Sequence, residues 1–450
     1  MTSRRTTTGT AIAIAELRAT TTGRITVPGD PGYDRARTVV YRRDCRPAAV
    51  VRAHDTADVV RIVRVAREHG MELAVRGSGH SPAGHGTADR GLVLDLGGLK
   101  GIDIDVRGRT AWAGAGLTAG EYTTAVGAHG LATGFGDTGS VGIGGITLSG
   151  GIGLLVRRHG LTVDNLLAAD VVTADGELRR VDAETHPDLF WAIRGGGGNF
   201  GVATRLRYRL HEVGTVLGGM MILPATPRIL ATFLAAAHDA PESLTTIVNV
   251  MPAAPHGRLI IRATLVHAGD VRAGEHVVAP FRALCPLVDT VLPVRYQELL
   301  PPGDGGPHLT GAHRTMFLDD VDAESILAHL RRSDAPMPVV QLRVLGGAMA
   351  RIPTDATAYA HRTPRLLANV AALSNRPDEL PARQAWVDGV TDALHRRDGV
   401  AVGFLGDEGP ARVRAAYPSP TWQRLTETKR RYDPTNLFRL NQNIPPAPTD

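Results

Sequence analysis

Cysteine is nearly absent from the chain. Cys45 and Cys285 are the two cysteines in 450 residues, far apart and outside any Cys-x-x-Cys pair, which excludes a disulfide framework and a cysteine-built zinc site; no metal centre is expected. Long apolar runs are missing too: Thr10-Ala11-Ile12-Ala13-Ile14-Ala15 stops at Glu16, well short of the roughly 18 residues of a membrane span. Arg4 and Arg5 precede that run as in a signal peptide, but it is too short and no clear cleavage site follows. No membrane partner is therefore expected, and the cytoplasm is the default location. Charge of one sign is also lacking. The 50 Lys and Arg against 45 Asp and Glu leave a formal +5 that is scattered rather than gathered on one arm, which argues against a nucleic-acid partner. A modest positive field would still help to draw in an anionic ligand.

Glycine, by contrast, is abundant: 52 residues, above the roughly 7% of ordinary usage. The length suits two domains. Residues 1–40 show no sustained period and are read as an irregular arm with one helix around 11–18. A first domain is expected over 41–212, a second over 213–405, and a C-terminal segment over 406–450.

Within the first domain, 48–52 reads as a strand, and Asp55 or Thr56 caps a helix carrying Val59, Val60, Ile62, Val63 and Ala66 up to Gly70. Strands follow at 72–75 and 92–96, a β-α-β unit with a glycine loop between them. Segments 102–106 and 110–113 flank Arg107-Gly108-Arg109, and 166–173 and 177–181 flank Ala174-Asp175-Gly176, which marks two hairpins. The fold class is therefore α+β rather than a doubly wound sheet. Beyond Val213 glycine thins out, and strands at 246–251, 259–266 and 339–344 alternate with helical segments such as 228–237. The tail carries a helix over 422–431, stopped at Asp433-Pro434.

Three glycine clusters stand out. Arg76-Gly77-Ser78-Gly79-His80-Ser81 leaves a strand and can curl its N–H groups around a phosphate. The second, from Gly134 through Gly136, Thr138, Gly139, Ser140, Gly142, Gly144 and Gly145, continues to Gly150 and Gly153. The third, Arg194-Gly195-Gly196-Gly197-Gly198-Asn199-Phe200-Gly201, precedes a strand beginning at Val202. The Gly142-Ile143-Gly144 fragment is not the nicotinamide-dinucleotide fingerprint, since no strand opens directly into it, no third glycine sits three residues on and no acidic residue follows in a clear β-α-β frame, so a nicotinamide-dependent dehydrogenase is disfavoured. Three clusters in one domain point to one large, extended ligand.

These clusters, with Gly160-Leu161-Thr162-Val163-Asp164-Asn165 and Asp188-Leu189-Phe190-Trp191-Ala192-Ile193-Arg194, resemble the FAD-binding (PCMH-type) domain of the vanillyl-alcohol oxidase superfamily. The tail Arg431-Tyr432-Asp433-Pro434-Thr435-Asn436-Leu437-Phe438 with Asn441-Gln442-Asn443 resembles the C-terminal segment of berberine bridge enzyme-like oxidases. The resemblance spans most of the chain. It implies a two-part FAD-binding domain plus a substrate domain whose antiparallel sheet is covered by helices.

The resemblance also implies site residues. Arg76, Gly77, Ser78, Gly79 and Ser81 would wrap the pyrophosphate, and His80 would bond to the flavin 8α-methyl carbon. The alternative reading of His80 is a polar turn residue, and His85 competes for the attachment but lies outside the motif. Gly136, Gly139, Ser140, Gly142, Gly144, Gly145, Gly150, Gly153, Leu154, Asn165, Gly201 and Val202 would also meet the cofactor. Thr138 stands where some relatives carry a second, cysteinyl link, so the attachment would be single. Asn441 and Asn443 would lie beside the flavin ring.

The implied activity is oxidation of an alcohol, sugar, phenolic or polyketide-like molecule, with dioxygen as electron acceptor. A Tyr-x-Asn motif usual in such enzymes is replaced here by Ala401-Val402-Gly403, which leaves the catalytic base open and keeps desaturation or cyclisation as alternatives. Gln341 and Arg343 share one side of a strand by the period of two and are read as substrate-facing; a solvated or ion-paired Arg343 is the competing reading. Tyr359, His361 and Arg362 are further candidate bases.

Overall fold

The computed structural model describes residues 2–41, 44–254, 257–303, 310–374, 376–394 and 397–448. Asp55 caps the helix Thr56–Glu68, its carboxylate accepting from Asp58 N at 2.8 Å. Val59, Ile62, Val63 and Ala66, spaced three and four apart, are fully buried. Ala49–Arg52, Leu92–Asp95 and Leu73–Arg76 lie side by side in parallel, and Arg24–Thr26 pairs antiparallel with the first of them. The two expected hairpins form within a five-stranded antiparallel sheet of order Ile102–Asp105, Thr110–Gly114, Val202–Arg209, Leu166–Val172 and Leu178–Asp182.

A larger antiparallel sheet is built from the second half. From one edge its path runs Val288–Asp289, Thr215–Pro224, Leu259–His267, Leu244–Pro252, Met337–Val344, Leu366–Ser374 and Thr310–Leu318, with Leu292–Arg295 also paired to the second strand. One face of this sheet is sealed by helices: Leu230 and Phe233 from Pro227–Asp239, Val278 and Phe281 from Val271–Arg282, Ile326 and Leu327 from Ala323–Arg331, and Val387 and Val390 from Leu380–Asp392 join its core. The α+β class and the helix-covered sheet are as the sequence implied. The N-terminal arm differs. A continuous helix, Thr2–Thr20, replaces the short one expected, because Ala13 and Leu17 bury against the helix Thr56–Glu68 and Glu16 meets His69 at 2.9 Å. Tertiary docking here outweighs a weak local pattern.

Charges stitch the parts together. Arg157 points its guanidinium at the carbonyls of Ala237, Leu244 and Ala240, each at 2.9 Å, joining the glycine-rich half to the large sheet. In the tail, the Lys429 ammonium is wholly buried and donates to Asn199 O and Asp433 Oδ2 at 2.7 Å and to Phe438 O at 3.0 Å. Asp433 in turn accepts from Leu437 N and Phe438 N. All the ammonium protons are satisfied, so the tail is locked onto the third glycine cluster. Removing one partner of such a buried pair costs about 3–5 kcal/mol; Lys429→Met should lower unfolding stability by that amount in a denaturant titration.

A second constraint is pH-dependent. His159 and His211 stack with ring centroids 3.9 Å apart. Burial pushes His159 down to about 3, aided by His211 and Arg158, and pushes His211 down to about 4, aided by Arg209 and Arg109. Both rings are neutral when folded and charge when unfolded below about pH 6.5. Their contribution is full above that value and is lost as pH falls towards 4. Thermal stability should therefore drop between pH 7 and pH 5, and His211→Gln should flatten that drop by on the order of 1 kcal/mol.

Candidate functional site

A cavity of about 520 Å³ opens where the glycine clusters meet the uncovered face of the large sheet. The strand Leu73–Arg76 delivers the first loop to it, and Gly79 turns the chain at φ +78°, a conformation that favours glycine. Ser78 Oγ accepts from Gly142 N at 2.6 Å and ties the first loop to the second. Gly77, Gly145 and Gly198 line the cavity with open space where a Cβ would stand. Arg76 is buried and paired with Asp95 at 3.1 Å, yet its Nη1 has no partner among the described residues. A buried guanidinium nitrogen left unpaired is costly unless a ligand completes it. The Asn441 and Asn443 side-chain oxygens are also buried without a partner.

His80 stands at the loop tip and lines the cavity. Its Nε2 lies 3.0 Å from Ser140 Oγ. Burial lowers its pKa, so the ring is neutral near pH 7. Ser81, Gly136, Thr138, Gly142, Gly144, Gly201 and Val202 line the same cavity, as does His85.

Seven residues expected at the cofactor do not line the cavity, Ser140, which meets His80, among them. A Cβ on Gly139 would lie 1.9 Å from Pro301 O, one on Gly150 2.6 Å from the Tyr359 ring, and one on Gly153 1.3 Å from Phe135 O. These glycines allow close contact within the chain. Leu154 is buried in an apolar cluster with Leu155, Val213 and Val216. Asn165 donates to His159 O and Leu161 O and meets His211 through its Oδ1. Asn443 sits beyond Asn441, next to Ile444, whose N–H is held by Asn199.

The opposite wall is the large sheet. Asn249, Gln341 and Asn369 stand in register on three neighbouring strands. Gln341 donates to Asn249 at 3.0 Å, and its Oε1 accepts from Asn369 at 3.2 Å and from Arg343 Nε at 3.0 Å. Arg343 also holds Asp137 at 2.8 Å and Ile152 O at 3.2 Å, and covers the Phe404 ring at 5.0 Å. Thus Gln341 and Arg343 do share the cavity wall, and Arg343 is at the same time ion-paired. Tyr359 lines the cavity with its hydroxyl buried and unpartnered, and burial pushes its phenol well up. His361 and Arg362 do not line it: His361 Nε2 meets Ala416 O at 3.0 Å, and Arg362 pairs with Asp164 at 2.8 Å.

Tyr41, Asp137, Asn249, His313 and Asn369 also line the cavity and were missed. The alternation of their strands put Asn249, His313 and Asn369 on definite faces, but strand order was needed to show that those faces meet. Ala401 and Gly403 line the cavity as well, so the wall at this point is built from small residues. Among the described residues, no group of three or more His, Cys, Asp or Glu side chains could hold a metal ion.

Two family descriptions match the chain: an FAD binding domain over residues 47–182 and a "berberine and berberine like" segment over 406–445. (R)-6-hydroxynicotine oxidase of Paenarthrobacter nicotinovorans is 30% identical over 448 residues, covering 94% of this chain and 97% of its own. The crystal structure of 6-hydroxy-D-nicotine oxidase from Arthrobacter nicotinovorans superposes with a TM-score of 0.86 at 27% identity, covering 95% of this chain and 98% of that one. A chitooligosaccharide oxidase shares the fold, with a TM-score of 0.84 at 21% identity over 97% of this chain and all of its own. With the glycine-lined cavity, the unpaired Arg76 nitrogen and a relative matched over nearly its whole length, the chain belongs to the berberine bridge enzyme-like FAD-linked oxidoreductases.

Proposed function

We propose that the chain is an oxidase that holds FAD by a single covalent bond from His80 and oxidises a small alcohol, sugar, phenolic or polyketide-like molecule, with dioxygen as the electron acceptor. The observation that carries this reading is His80 itself: a neutral, largely buried imidazole at the tip of a phosphate-type loop, inside the cavity. A neutral imidazole is a competent nucleophile. Thr138 in the second loop offers no thiol for a further link.

Bound FAD would supply the hydride acceptor; the remaining tasks fall to the protein. Arg76 Nη1 and the open N–H groups around Gly77 suit the pyrophosphate. The Asn441 amide suits a polar ring edge. Across the cavity, Arg343 and Asp137 cancel one another's charge, and the Asn249–Gln341–Asn369 row presents amides rather than net charge. Such a wall orients a neutral, hydrogen-bonding substrate. It has little to offer a strongly ionic one.

Anaerobic mixing tests the reading. Neutral hydroxylated compounds such as chito-oligosaccharides, xylobiose and simple alcohols, with (R)-6-hydroxynicotine as an amine comparison, would be mixed with the yellow holoprotein while the flavin band is followed. A hydroxylated compound should bleach the band, and admitted air should restore it. Bleaching that air does not reverse would contradict the oxidase assignment, and bleaching only by the amine would contradict the substrate class.

A further inference from the structure

We propose that Ser140 is a positioning residue for the flavin attachment: its hydroxyl accepts the Nε2–H of His80 and so leaves the lone pair on Nδ1 to form the bond. The inference rests on the covalent reading of His80 above and goes beyond it by assigning the reacting nitrogen and the group that selects it.

A neutral imidazole carries one ring proton, and its position is set by the partner of the other nitrogen. Here that partner is Ser140 Oγ, 3.0 Å from Nε2. The hydroxyl can act as acceptor to Nε2–H, and the tautomer that results bears its nucleophilic pair on Nδ1. Burial of both groups strengthens the effect. Ser140 is 9% exposed, and burial disfavours the doubly protonated ring, which would have no free pair at all.

Ser140 is fixed from several directions. Gly120 N bonds Gly139 O at 2.8 Å, Ala119 N bonds Val141 O at 2.8 Å, and Val141 N closes a turn on Thr138 O at 3.3 Å. Gly139 packs so closely on Pro301 O that a Cβ would meet it at 1.9 Å. On the other side, Val40 N holds Gly79 O at 3.1 Å, and Ser78 Oγ binds Gly142 N at 2.6 Å. The Ser78–Gly142 bond thereby locks the two loops to each other two residues away from the His80–Ser140 contact on either side. Gly139, which does not line the cavity, finds its purpose here: it lets the loop run tight enough to present Ser140.

The attachment balances as follows. The 8α C–H bond breaks and its proton leaves to solvent; the Nδ1–C8α bond forms with the imidazole pair. The two electrons released from that C–H bond are left on the flavin, and dioxygen removes them. The new ring cation loses the Nε2 proton, after which the Ser140 hydroxyl reverses its role and donates to Nε2. One hydroxyl, able to accept and then donate, serves both states.

Full-length protein produced under riboflavin limitation, then given FAD in air, tests the proposal. Two quantities are read: non-covalent FAD binding from fluorescence quenching, and covalent attachment from the flavin retained by acid-precipitated protein over time. Losing a hydrogen bond worth about 1.4 kcal/mol corresponds to a tenfold rate loss. Ser140→Ala is expected to bind FAD as tightly as the wild type but to attach it about tenfold more slowly, and Ser140→Thr to restore the rate. Attachment by Ser140→Ala at the wild-type rate overturns the role of Ser140 alone. Slow attachment that merely tracks weakened FAD binding overturns it too, as that is a structural defect. Wild-type protein that releases all its flavin into acid overturns the covalent reading together with this one.

Discussion

Backbone segments around the cavity approach one another more closely than side chains permit. A Cβ on Gly195 would stand 2.3 Å from Tyr359 N, and one on Gly153 1.3 Å from Phe135 O. The rest of the molecule depends on this constraint, because it lets three loops from different elements converge on one space while their peptide groups stay exposed to it. The same constraint explains why the glycine count is high. Some glycines face the cavity, as Gly77 and Gly145 do, and others let the loops nest behind it.

Convergence of that kind leaves polar groups buried, and charges that cross between elements satisfy many of them. Arg157 binds carbonyls of the large-sheet half, Arg343 binds Asp137 and Ile152 O from the second loop, and Lys429 gathers Asn199, Asp433 and Phe438. Each cation is removed from water and repaid by directed acceptors. Among the buried side-chain atoms left without a partner, some lie away from the cavity, as Thr123 Oγ1 and Tyr296 Oη do, but Arg76 Nη1, Asn441 Oδ1, His313 Nε2 and the Tyr359 hydroxyl belong to residues that line it. These four are open to a ligand in the cavity.

Much of this was legible in the sequence, for physical reasons. Asp55 and the spacing of Val59, Ile62, Val63 and Ala66 encode a helix locally, and Gly108 and Gly176 encode hairpins locally. The first glycine loop was legible because a strand, a turn and a nucleophile sit within six residues. The sheet wall of the cavity was not. His313 faces Ala371 and Asn249 faces Gln341 only because strands distant in sequence are neighbours in the sheet, and alternation gives a face without giving a partner. Gly139, Gly150 and Gly153 pack on other parts of the chain instead of lining the cavity, and a missing side chain does not say in advance which of the two takes its place. Leu154 and Asn165 came into the expected site with the family resemblance, whereas in the structure one packs in a core and the other bridges His159 and His211.

The central claim is that His80 tethers the flavin. The most direct measurement is the mass of the acid-denatured holoprotein, followed by fragmentation of the peptide that carries both His80 and His85. A chain heavier by one FAD, with the addition on His80, is the expected result. A chain at its unmodified mass, or flavin located on His85, would contradict it.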